Sequence, residues 1–165
     1  MKSDRFGKEL IETKKFDKMV SKTFKTEKAN SIFLEKLSSE THSFFQYQEN
    51  DKTIGYGMVG RVDCCRMTGC DSPDNSIDDI KEYLDYVILY NPEGTIQEIR
   101  VLKYNATRGY EVTSRGWLKQ FFGLNGKQYK KTNFKPDAIS GATISVNAIT
   151  ADIKRQTSAL YNYLK

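Results

Sequence analysis

Tyr83-Leu84-Asp85-Tyr86-Val87-Ile88-Leu89-Tyr90-Asn91-Pro92-Glu93-Gly94-Thr95-Ile96-Gln97-Glu98-Ile99-Arg100-Val101-Leu102-Lys103-Tyr104 decides the fold of this 165-residue chain. Two runs rich in aromatic and branched residues flank a turn whose chemistry is explicit. In Asn91-Pro92-Glu93-Gly94 the proline fixes φ early and the glycine accepts positive φ late. The pattern predicts antiparallel strands over residues 83–90 and 95–104. Val87, Leu89, Ile96, Ile99 and Val101 are expected to fill the inner face of a sheet.

Upstream, the period changes to two from Ser43. Phe45 and Tyr47, then Ile54, Tyr56, Met58 and Val62, alternate with polar residues around Asn50-Asp51-Lys52, which reads as a second hairpin. Gly55, Gly57 and Gly60 interrupt its second strand and point to bends or a close approach. They are no dinucleotide fingerprint, because no helix follows at the required spacing. Residues 1–40 read as helical. Leu10, Ile11, Phe16, Met19, Val20 and Phe24 form an apolar stripe, and Ile32, Phe33, Leu34 and Leu37 suggest a second helix over residues 29–37. The charged break Lys25-Thr26-Glu27-Lys28 separates the two. Packing on a sheet accounts for both better than a membrane surface does, since aromatic anchors are few.

Downstream, residues 114–122 predict a short helix with Trp117, Leu118, Phe121 and Phe122 on one side. Gly123 and Gly126 end it, and a basic loop over residues 127–131 follows. Val146, Ile149, Ile153, Leu160 and Leu164 then mark one apolar face of a C-terminal helix. The fold class is α+β: an antiparallel sheet flanked by N-terminal, middle and C-terminal helices. Residues 1–40 read as a helical extension of a single domain over residues 41–165. Residues 76–81 read as a loop or short helix.

The net charge is +5 and the pI about 9.0. Lys and Arg are spread along the chain, and no recognition motif accompanies them, so nucleic acid is not an expected partner. No run approaches the length of about 18 apolar residues that a membrane span requires. No apolar signal-peptide core follows Met1.

Pro136-Asp137-Ala138-Ile139-Ser140-Gly141-Ala142-Thr143-Ile144-Ser145 lies directly before the C-terminal helical pattern. Hydroxyl residues there signal a helix N-terminus, where free N–H groups and a partial positive charge suit a phosphate. Competition among Ser140, Thr143 and Ser145 to cap the helix explains them without any ligand. Asp63-Cys64-Cys65-Arg66-Met67-Thr68-Gly69-Cys70 gathers all three cysteines of the protein. Adjacent cysteines seldom bridge each other. Cys64 or Cys65 could reach Cys70, leaving one thiol over. A redox-active thiol loop or a disulfide ranks above buried inert cysteines. A metal ranks last, because zinc and iron–sulfur sites usually take four ligands and His42 lies on another segment.

Asp137-Ala138-Ile139-Ser140-Gly141-Ala142-Thr143 resembles the flavinylation motif of the FMN-binding domain family, which includes the covalent-FMN subunits of the sodium-pumping NADH:quinone oxidoreductase and of the Rnf complex. The resemblance covers roughly residues 43–164. It implies FMN bound through its phosphate to Thr143, with Asp137, Ser140, Gly141 and Ala142 around it. It also implies maturation by a flavin transferase that cleaves FAD with Mg²⁺. A threonine hydroxyl is a poor nucleophile at its own pKa, so a partner enzyme supplying metal and base fits the absence of any triad. Asn105-Ala106-Thr107-Arg108-Gly109 stands where the family often carries Glu-Thr-Pro-Gly beside the flavin ring. Thr107 and Gly109 match, while Ala106 and Arg108 depart from the pattern. Trp117 is either core or a wall against the isoalloxazine. The implied role is electron transfer with an unidentified redox partner, in an extracytoplasmic setting such as the cell envelope or periplasm. Two alternatives remain: a noncovalent FMN reductase, and a non-redox binding or scaffold module of the same fold.

Overall fold

The computed structural model describes residues 6–64 and 82–165. Cys65, Cys70 and the stretch over residues 76–81 lie outside the described residues. Among the described residues five strands form one antiparallel meander, ordered β1 to β5 as in the sequence: β1 Asn30–Phe33, β2 His42–Glu49, β3 Lys52–Asp63, β4 Tyr83–Tyr90 and β5 Ile96–Asn105. Helices α1 (Lys8–Ile11) and α2 (Lys14–Phe24) precede the sheet, and α3 (Arg115–Leu118), α4 (Gly126–Lys131) and α5 (Thr143–Tyr163) follow it. The α+β architecture is that expected from the sequence. No helix among the described residues is long and apolar enough to cross a membrane.

Both predicted hairpins form. Asn50 and Asp51 take φ of 50° and 61° at the β2–β3 turn. Such a two-residue turn matches the right-handed strand twist, and Asn and Asp tolerate the left-handed region. At the β4–β5 turn Gly94 has φ 81°. Asn91 Oδ1 accepts from Glu93 N at 3.0 Å and Thr95 N at 2.9 Å, so its side chain closes the loop.

Three local expectations are corrected. Residues 29–37 are not a helix: they form edge strand β1 followed by a 3-10 turn, Glu35–Leu37. Ile32, Phe33 and Leu34 are consecutive rather than spaced by three or four, and pairing with β2 decides the segment's conformation. Residues 127–131 are not a loop but belong to α4, which a reciprocal capping box between Asn125 and Gln128 nucleates. Val87 and Leu89 do not share a face with Ile96 and Ile99. They pack with Phe16, Met19 and Val20 of α2, whereas Tyr86, Ile88, Tyr90, Ile96 and Ile99 pack with α5. The sheet is therefore buried on both faces, and β4 is buried from Leu84 to Tyr90. Each large side chain so buried contributes roughly 1.5–3 kcal/mol.

The glycines of β3 make this double packing possible. A Cβ on Gly55 would lie 2.2 Å from the Phe24 ring, and one on Gly60 would lie 2.3 Å from His42. Helix α5 docks through Val146, Ile149, Ile153 and Leu160, as the periodicity predicts, but its buried face also carries Ser145, Asp152, Gln156 and Thr157. Asp152 is 4% exposed. Its Oδ2 is 2.8 Å from His42 Nε2 and accepts from the Tyr86 hydroxyl at 2.7 Å. Its Oδ1 accepts from Gln156 Nε2 at 3.1 Å and Arg155 at 3.4 Å. The other ring nitrogen of His42 lies 2.9 Å from Thr41 Oγ1. Burial works to raise the Asp152 carboxyl. The hydrogen bond and charge of His42, with bonds from Tyr86 and Gln156, outweigh it and hold the group below the ordinary carboxylate value. This network ties α5 to β2 and β4 at one rotation and one height, and so fixes where its N-terminus points.

Candidate functional site

The loop over residues 132–142 leads into α5, whose first residue is Thr143. Ile139 O accepts from Ala142 N at 3.1 Å, and Gly141 takes φ 76°. That turn needs a residue without a Cβ penalty in the left-handed region. A Cβ on Gly141 would meet nothing within 4 Å, so the outer side of the turn is open. Ala142 is buried at 3% and is the N-cap. None of Ser140, Thr143 and Ser145 caps the helix through its side chain, and the first turn holds no acidic residue. The first-turn N–H groups of Thr143, Ile144 and Ser145 thus have no intrahelical acceptor and carry the positive end of the dipole. Thr143 is exposed beside them.

Two side chains of the middle helical segment hold the preceding stretch. Trp117 Nε1 donates to Asp137 O at 2.9 Å, and Asp137 N donates to Gln120 Oε1 at 2.8 Å. Gln120 Nε2 donates in turn to Trp117 O at 3.1 Å. Trp117 is 8% exposed and packs edge-on against Phe121 at 5.3 Å, which in turn meets Phe134 at 5.3 Å. The indole is buried and acts as a clamp on the backbone at Asp137.

The loop after β5 reaches the same helix end from the other side. Thr107 donates from N and Oγ1 to Glu82 Oε1, at 3.2 and 2.8 Å. Gly109 has φ 84°, and a Cβ there would lie 2.8 Å from Ser145 Oγ and 3.1 Å from the Tyr104 hydroxyl. Tyr104 donates its hydroxyl to Arg108 O, and the tyrosine oxygen lies 3.3 Å from Ser145 Oγ. Cys64, 1% exposed just beyond β3, donates its thiol to Val62 O at 3.9 Å and lies near the same serine. Burial pushes that thiol's pKa up, and the Ser145 hydrogen bond offsets part of the rise.

The fold thus gathers Asp137, Ser140, Gly141, Ala142 and Thr143 at the head of α5, clamps them through Trp117, and brings Gly109 and Cys64 onto Ser145. Thr107 sits two residues before the contact, turned to Glu82. Among the described residues no group of three or more His, Cys, Asp or Glu could hold a metal ion. Glu82 and Gln120 were not singled out from the sequence, because each acts on a partner at least 17 residues away.

The arrangement defines an α+β domain with an open helix N-terminus, edged by hydroxyls and suited to an anionic group. Residues 83–156, from β4 through the motif into α5, match the model of the FMN-binding domain family. That match, over less than half of the chain, supports an FMN-binding protein with FMN as its cofactor. No curated protein and no solved structure matches the chain.

Proposed function

We propose that the protein is an electron-transfer flavoprotein whose FMN is joined through its phosphate to Thr143. The observation that carries this reading is the exposed Thr143 hydroxyl at the head of an uncapped 21-residue helix, beside the open side of Gly141. FMN supplies reversible redox chemistry when bound. Thr143 Oγ would serve as the acceptor, attacking the FMN-side phosphorus of FAD on a Mg²⁺-dependent flavin transferase. The pyrophosphate bond would break with AMP as leaving group, and the hydroxyl proton would pass to a base of the transferase. The product is a phosphodiester with one negative charge, which the first-turn N–H groups and the helix dipole stabilise. Asp137, held by Trp117 and Gln120, and Ser140 fix the approach of the loop. Thr107 and Gly109 border the ring side.

An attachment point at the surface suits exchange of electrons with a second protein. The resemblance of residues 137–143 to the flavinylation motif supports an extracytoplasmic domain over residues 41–165, with residues 1–40 as an extension. Coexpression with a flavin transferase, followed by mass spectrometry, tests the assignment. The intact protein gains the mass of one FMN, mapped to the peptide containing Thr143, and Thr143→Ser retains part of it. Covalent flavin persisting in Thr143→Ala overturns the attachment site.

A further inference from the structure

We propose that Tyr110 is the platform on which the isoalloxazine ring stacks, an inference that rests on the phosphate being held at Thr143. Four large hydrophobic side chains among the described residues are exposed, and two of them flank this site: Tyr110 at 69% and Ile144 at 39%. Ile144 directly follows Thr143. Tyr110 directly follows Gly109, whose backbone abuts Ser145 in the same first turn of α5. A planar ring tethered at Thr143 through its phosphate and ribityl chain is therefore held on the side of α5 where Tyr110, an exposed aromatic, follows Gly109.

The tyrosine is held for that role rather than left to swing. Tyr104 meets it edge-on, with ring centroids 5.6 Å apart and an interplanar angle of 87°. Tyr104 is itself tied to Arg108 O and Ser145. An edge contact fixes a ring while leaving face area for a stacked partner, and offset stacking is a favoured geometry between planar π-systems. The other aromatics near the loop are committed elsewhere. Trp117 is buried with its N–H on Asp137, and Tyr104 is half-buried with its hydroxyl engaged. An electron-rich phenol against an electron-poor flavin also has a photochemical signature. Tyrosine in contact donates an electron to the excited ring and extinguishes its emission, and phenylalanine does not.

The test uses the full chain, flavinylated by coexpression, as wild type, Tyr110→Leu and Tyr110→Phe. Mass spectrometry first reads FMN content, which reports attachment and is independent of Tyr110. At equal flavin content, wild type has weak flavin emission and a visible circular-dichroism band. In Tyr110→Leu the emission rises several-fold and the band falls toward that of free FMN. Tyr110→Phe keeps the band but loses the quenching. Unchanged emission and an unchanged band in Tyr110→Leu overturn the platform. Should the mass show no attached flavin, the attachment reading fails by itself, and free FMN is titrated into both proteins instead. Weaker binding to Tyr110→Leu then supports the platform, and equal binding overturns it.

Discussion

Replacing Asp152 with alanine should loosen the C-terminal helix more than any other single polar change in it. The carboxylate satisfies His42, Tyr86 and Gln156 at 2.7 to 3.1 Å, and it is 4% exposed. Truncation leaves these buried groups without their shared acceptor. Removing one partner of such a buried pair costs roughly 3–5 kcal/mol. For a chain of this size each kcal/mol lowers Tm by about 2–4 °C, so the expected drop is about 6–20 °C. Asp152→Asn keeps an acceptor but loses the charge, and should fall between. The pH dependence follows from the direction of the shift. The folded carboxyl is depressed below its ordinary value of 3.8, so its contribution is fully present above that value and is lost as pH falls through the folded pKa. Urea unfolding of wild type and Asp152→Ala at neutral pH and at a series of acidic pH values reads both effects. The gap between the two proteins should be widest at neutral pH and should close on acidification. A gap below about 1 kcal/mol at neutral pH, no more than one ordinary hydrogen bond contributes, would refute the argument that this network seats α5.

Ile153 is fully buried between α5 and the sheet, so Ile153→Ala should cost roughly 2–5 kcal/mol by denaturant unfolding, and an unchanged midpoint would place that helix face in solvent. Cys64 is buried against Ser145 with its thiol pKa raised. Under pulse alkylation at pH 7 its peptide should label far more slowly in folded than in denatured protein, and rapid labelling of the native state would show the thiol to be accessible.

Much of the fold was legible because its signals are local. The Asn50-Asp51 and Asn91–Gly94 turns, the period-two runs and the α5 face were all readable from short stretches. The motif at residues 137–143 was legible as residue types at fixed spacing ahead of a helix. What failed was decided across the chain. The segment at residues 29–37 carries apolar residues that fit either element, and only pairing with β2 makes it a strand. The phase of the central hairpin was misread because α2 and α5 bury opposite faces of the same strands, so alternation no longer separates inside from outside. At Trp117 the residue type left core and ring wall both open, and the fold adds a hydrogen bond from its N–H to Asp137 O. The sequence by itself determined the hairpins, the helix and the hydroxyl-rich loop that opens it. Tertiary structure alone decided that His42 meets Asp152 across 110 residues and that Gly109 and Cys64 close on Ser145. Local propensity and spacing act over a few residues. Which distant side chains share a site depends on how the layers pack.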